Sequence, residues 1–217
     1  MSTVPETPDS DERGGARQAL YFYGVCRARA WRGGRITTSA DGEVMRVRYR
    51  DIEALVAPAS YEVPALDEDH LLGHQRVVEA AMRRGTVLPV PYGIVFRGRR
   101  QLIRMLQEQY IALDEGLSFL DGHWELRLHI GAREPGEVAP ELADLAMQMY
   151  SELRRQAHAA VPFAATGQRL VSAAFLVERT AWVEFVERAD DLGSAHPELL
   201  FDVTGPWPAY DFVHVSV

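Results

Sequence analysis

An α+β protein of two small domains is what this sequence predicts, and three observations carry the prediction. Trp124, Leu126, Leu128 and Ile130 alternate strictly with Glu125, Arg127 and His129, the period of a strand with one apolar and one wet face. Leu102, Leu106, Tyr110, Leu113, Leu117 and Leu120 recur instead at helical spacing. Between the two patterns stands the turn pair Asp121-Gly122, with a complete set of strands and helices legible on each side. The expected division is a polar, disordered tail over 1–17, an N-terminal α+β domain over 18–121 and a C-terminal α+β domain over 122–217. The second half runs β-α-β-α-β, which favours a small open sheet with helices on one side, akin to the ferredoxin-like class.

Taken in order, residues 20–26 form the first strand. Leu20, Phe22, Gly24 and Cys26 share one face and Tyr21, Tyr23 and Val25 the other, and both faces are apolar enough for a central strand. Trp31-Arg32-Gly33-Gly34 reads as a loop. Residues 43–49 and 52–57 pair as a hairpin around Arg50-Asp51, stopped by Pro58. A helix follows over 66–84, with Asp67 as N-cap, Gly85 as its stop, and Leu71, His74, Val78 and Met82 facing inward. Residues 86–96 are apolar but broken by Pro89 and Pro91, which suits an edge or bulged strand. Residues 101–120 read as one long helix.

Past the 124–130 strand, a long helix over 137–160 carries Leu142, Leu145, Met149 and Leu153 on its inner stripe. The unbroken apolar run within 168–177 predicts a central, covered strand. Thr180 caps a shorter helix with Trp182, Phe185, Val186 and Ala189 inward, and 197–204 is the last strand. Beyond it Gly205-Pro206-Trp207-Pro208-Ala209-Tyr210-Asp211-Phe212-Val213 forms a stiff aromatic arm, since each proline holds its φ near about −65°. Such an arm either locks the C-terminus onto a core or presents an anchor to a partner.

Charge and composition remove several function classes. The formal charge is −8 and the sequence contains no lysine. Nonspecific nucleic-acid binding draws on phosphate neutralisation, so no nucleic-acid partner is expected. No apolar stretch approaches the roughly 20 residues of a membrane-spanning helix, and residues 1–15 lack the apolar core of a secretory signal. Neither a membrane nor export is expected. The single cysteine, Cys26, can form no internal disulfide, fits a reducing cytoplasm, and in its apolar run reads as a buried structural thiol.

Groups able to do chemistry are sparse. His70 and His74 have the i, i+4 spacing that can place two imidazoles on one metal, but the glutamate of HExxH is missing, and His74 fits a hydrogen-bonded place on the packed face better. His123, His129, His158, His196 and His214 keep no common spacing. Arg97, Arg99, Arg100 and Arg104 cluster at a strand-to-helix junction, first a solvated patch and second an anion site. A glycine-rich phosphate loop, the lysine of a P-loop or Schiff base, and a G-x-S-x-G elbow are all missing. No catalytic residue, metal or cofactor is expected from these residues.

Six segments, read together and in order, resemble the gas vesicle accessory proteins of the F/L type (GvpF/GvpL). They are Tyr21-Phe22-Tyr23-Gly24-Val25, Asp51-Ile52-Glu53-Ala54-Leu55-Val56, His74-Gln75-Arg76-Val77-Val78-Glu79-Ala80, Thr86-Val87-Leu88-Pro89-Val90-Pro91-Tyr92-Gly93-Ile94-Val95-Phe96, Trp124-Glu125-Leu126-Arg127, and the stretch from Leu200 to Val213 that contains Thr204-Gly205-Pro206-Trp207-Pro208-Ala209-Tyr210-Asp211-Phe212. The fourth departs from the family in one place, with Pro91 where a basic residue usually precedes the aromatic-glycine pair.

The resemblance implies two α+β domains, the second a modified ferredoxin-like fold, and a non-catalytic role in gas vesicle assembly, in the cytoplasm and on the vesicle. It implies no cofactor, and as partners the small hydrophobic shell protein of the GvpA type and other gas vesicle accessory proteins. Candidate contact residues are Pro89, Pro91 and Tyr92 in the broken strand and Trp207, Tyr210 and Phe212 in the arm. The competing expectation is a small-molecule-binding or catalytic ferredoxin-like protein using His74 and the Arg97 to Arg104 cluster.

Overall fold

Two antiparallel sheets, each built around a strand with no polar stripe of its own, organise the chain. The structure is a computed structural model and describes residues 19–28, 35–37, 42–62, 64–134, 136, 139–164, 166–213 and 215; the 1–17 tail, the 31–34 loop and His214 lie outside the described residues. The first sheet contains β1 (Ala19–Arg27), β2 (Met45–Tyr49), β3 (Ile52–Ala59), β4 (Val87–Pro89) and β5 (Val95–Phe96). Its order is β2-β3-β1-β4, and β5 also pairs with β1. The proline-broken stretch thus yields two short strands against one neighbour, since proline cannot donate to a ladder.

Helix α1 (Glu68–Met82) covers one face of this sheet, while α2 (Arg99–Glu108) and α3 (Tyr110–Leu120) cover the other. The Asp67 side chain accepts the His70 N–H at 3.0 Å, as its N-cap position requires. The faces of β1 differ from strict alternation: Leu20, Phe22 and Val25 lie in the core beneath α2 and α3, and Tyr21, Tyr23 and Cys26 in the core beneath α1. A bulge shifts the register between Phe22 and Gly24. Gly24 has φ 155°, and a Cβ there would stand 2.5 Å from the Leu88 carbonyl oxygen, so only glycine lets β4 approach.

The second sheet contains β6 (His123–Ala132), β7 (Ala159–Phe163), β8 (Arg169–Glu178) and β9 (Leu199–Trp207), in the order β7-β8-β6-β9 with every pair antiparallel. Helices α4 (Pro140–Arg154) and α5 (Trp182–Ala195) lie on one face. This is the β-α-β-β-α-β connectivity of ferredoxin-like units, with β7 added to the expected order. Leu126, Leu128, Ile130, Phe175 and Val177 meet Met149, Leu153, Phe185, Ala189 and Leu192 in its core. Each of the larger side chains, when fully buried, contributes about 1.5–3 kcal/mol before conformational entropy is subtracted.

Several expectations need correction. The 101–120 helix is two helices, with φ −98° and ψ 7° at Gln109, although the Gln109 and Leu113 N–H groups still reach Met105 and Gln109 carbonyls. Tyr110 follows the break and donates its hydroxyl to Asp51 in the β2–β3 turn, a long-range tie that periodicity does not reveal. The 137–160 helix ends at Arg154, and 159–163 is the edge strand β7, which tolerates Pro162. Leu71 is exposed, with Gly73 and Val77 buried in its place on the stripe. Ala181, not Thr180, occupies the N-cap of α5 and makes no side-chain bond. The last strand continues through the arm as far as Trp207.

Candidate functional site

A cleft of about 550 Å³ opens over the α1 side of the first sheet. That volume falls in the range of roughly 300–1,000 Å³ typical of ligand pockets. The cleft's floor is Tyr21 and Tyr23 of β1, one wall is Gly73 and His74 of α1, another is Ala57, Pro58 and Ala59 of β3 with Pro64 and Ala65 beyond, and Tyr92 closes the far side. Period-2 alternation places both β1 tyrosines on this face, and helical spacing turns His74 toward them.

Hydrogen bonds fix the protonation of His74. The Tyr21 hydroxyl accepts the Gly93 N–H at 3.2 Å and stands 2.8 Å from His74 Nδ1, so it donates there. His74 Nε2 then carries the hydrogen and donates to the Val90 carbonyl at 3.1 Å. Burial pushes the imidazole down to about 4, which keeps it neutral. The Tyr23 ring stacks on His74 at 5.4 Å between centroids, and the Tyr92 hydroxyl donates to the Ala65 carbonyl at 2.6 Å. Both His74 nitrogens are therefore engaged, and the imidazole acts as a brace. Among the described residues no group of three or more His, Cys, Asp or Glu side chains is placed to hold a metal ion. Cys26 is buried and its thiol is pushed up to about 12, chiefly by burial.

The C-terminal segment makes a second constellation. Glu125 lies on the face of β6 expected to be wet, yet it is 0% exposed, because residues 208–213 return across that face. Its Oε2 accepts the Asp211 N–H at 3.0 Å. Arg127 Nε bridges Glu125 Oε1 at 2.8 Å and Asp211 Oδ2 at 2.9 Å. Burial first, then the adjacent Asp211, pushes the Glu125 carboxyl well above the usual carboxylate range, against the pull of Arg127. Because folding raises this pKa, stability is greatest below the unfolded carboxylate value and falls as pH climbs from there through the folded one. Arg127→Met steepens that fall. We expect a loss of about 2 kcal/mol near neutral pH, below the usual cost of breaking a buried pair because Arg127 is 38% exposed, and a smaller loss at pH 5, measured by urea unfolding.

The six expected contact residues separate into distinct environments. Pro89 is buried in β4 opposite Gly24, Pro91 is exposed, and Tyr92 lines the cleft. Trp207 pairs with Glu125 and donates its indole N–H to Thr204 Oγ1 at 3.1 Å. Tyr210 packs with the α1-side core, and Phe212 with the core beneath α2 and α3. His74 and the arginines do not form one site, for no arginine lines the cleft, and Arg97 lies over the Tyr61 ring at 5.0 Å. The pairing of Tyr21 and Tyr23 with His74 was missed; the only local signal was the β1 alternation, since their partners come from distant segments.

Comparison with known proteins follows the same outline. The family model described as gas vesicle synthesis protein GvpL/GvpF matches residues 19–154 and 127–214. Gas vesicle protein F1 of Halobacterium salinarum is 24% identical over 91% of this chain and 94% of its own length. Gas vesicle protein F of a Streptomyces species is 27% identical over 75% of this chain and 84% of its own. In fold, the chain is similar to the crystal structure of GvpF from Anabaena, with a TM-score of 0.79 and 17% identity over 92% of this chain and all of that one. It is likewise similar to GvpF from Microcystis aeruginosa, with a TM-score of 0.77.

Proposed function

This chain belongs to the GvpL/GvpF family of gas vesicle synthesis proteins, and from that membership we propose that it is a non-catalytic assembly factor that holds the hydrophobic shell subunit of the gas vesicle until it is incorporated. The observation that carries the reading is the family match, which extends from residue 19 to residue 214. A subunit that polymerises through apolar surface needs a soluble partner to cover that surface beforehand. The cleft suits such a partner: Leu66, 79% exposed, and Leu72, 38% exposed, are sequence neighbours of its lining residues Ala65 and Gly73, and its histidine is braced rather than free to react. The protein works in the cytoplasm in this reading and stays on the vesicle as a minor component.

The reading is tested by deleting the gene in a vesicle-forming host and by capturing purified shell subunit on the purified chain. Loss of vesicles together with capture is the expected pair of results. Vesicles of normal number and shape in the deletion strain, or turnover of a metabolite by the chain, would overturn it.

A further inference from the structure

Tyr23 is 7% exposed and lines the cleft, and its hydroxyl, which bonds to no described residue, opens onto that cleft rather than being sealed in the core. The neighbouring hydroxyls are used internally, by His74 and Gly93 for Tyr21 and by Ala65 for Tyr92. A side chain this deeply buried whose hydroxyl is reached only from a cavity offers an occupant of that cavity a hydrogen-bonding group. The rings around it approach one another closely, with centroids 4.8 Å apart for Tyr21 and Tyr23 and 5.9 Å apart for Tyr21 and Tyr92.

Charge selects the occupant. Among the described residues the lining includes the exposed carboxylates Glu62 and Asp69 and no arginine. His70 is held by Asp67, His74 is neutral, and Arg97 is engaged over the ring of Tyr61, beside Glu62 in sequence. Carboxylates at the mouth repel an anion and attract a cation, aromatic faces attract the same cation, and Ala57, Pro58, Ala59, Pro64 and Ala65 offer an apolar wall to a methylene stem. We propose that the cleft receives a lysine or arginine side chain from a partner protein, its stem along the alanine and proline wall and its head against the tyrosine cluster, donating to the Tyr23 hydroxyl. The identity of that partner rests on the assembly-factor reading; the chemistry of the site does not.

The probe is n-butylammonium chloride, titrated into the full chain carrying ring-labelled tyrosine and followed by NMR, with 1-pentanol and sodium pentanoate as neutral and anionic controls at equal ionic strength. Saturable shifts of Tyr21, Tyr23 and Tyr92, with Tyr49, Tyr110 and Tyr150 unmoved and neither control active, are expected. Glu62→Gln with Asp69→Asn weakens binding about tenfold. Tyr23→Phe weakens it while leaving Tm unchanged, because the hydroxyl bonds to none of the described residues. The site is overturned by silent cleft tyrosines, by pentanol or pentanoate binding as well as butylammonium, by an unaffected carboxylate variant, or by a Tyr23→Phe chain of lowered Tm. A chain that binds butylammonium but captures no shell subunit keeps the site and sinks the assembly-factor reading; capture without butylammonium binding does the reverse.

Discussion

Ending the chain after Thr204 removes the cooperative melting transition of the whole protein, not only that of the second sheet. The deletion takes Trp207 from its place opposite Glu125 and removes the Asp211 N–H that Glu125 accepts. It also strips Ala209, 5% exposed, together with Phe212, Val213 and Val215, from the core beneath α2 and α3. Apolar burial of this kind sums to about 5 kcal/mol, and a buried carboxylate loses a partner besides. Domain stabilities run about 5–15 kcal/mol, so little remains. Calorimetry of the shortened chain decides: a transition within a few degrees of the parent would mean that the segment is a free arm and its aromatics are available for docking.

Acidification is the second large effect. His74 is 6% exposed and holds its imidazole neutral down to about 4, whereas the unfolded chain protonates near 6.5. A depressed pKa of this kind means that the unfolded state binds the extra proton between those values, so His74's contribution is fully present above the upper one and is lost as pH falls through the lower. The difference amounts to about 3 kcal/mol. His74→Gln starts less stable at pH 7, because one amide cannot serve both Tyr21 and Val90, but its stability falls less between pH 6.5 and 4. Parallel slopes for parent and variant, by urea unfolding at matched ionic strength, would remove His74 as the cause.

Local signals carried much of the fold. The hairpin around Arg50-Asp51, the Asp67 cap, the covered β8 and the edge position of the Pro89 stretch all follow from residue type and period. What escaped depends on pairing between distant residues. Ala159 and Ala160 favour a helix by themselves, and only β8 makes them a strand. Glu125 reads as solvated in any window of its own strand, and it is dry because Asp211 and its neighbours come back to cover it. Membership in one face of β1 hinged on the bulge at Gly24, where the alternation steps by one residue. The cleft was the least legible part, since Tyr21 meets His74 across 53 positions and Gly93 across 72.

The return of Ala209, Phe212, Val213 and Val215 to the α2 and α3 side of the first sheet has a consequence during synthesis. A growing polypeptide exposes Leu88 and Leu113 on the ribosome long before Phe212 and Val213 have been translated to cover them. The N-terminal half therefore emerges as an incomplete body with an apolar seam, and its closure is a late, long-loop event rather than a vectorial one.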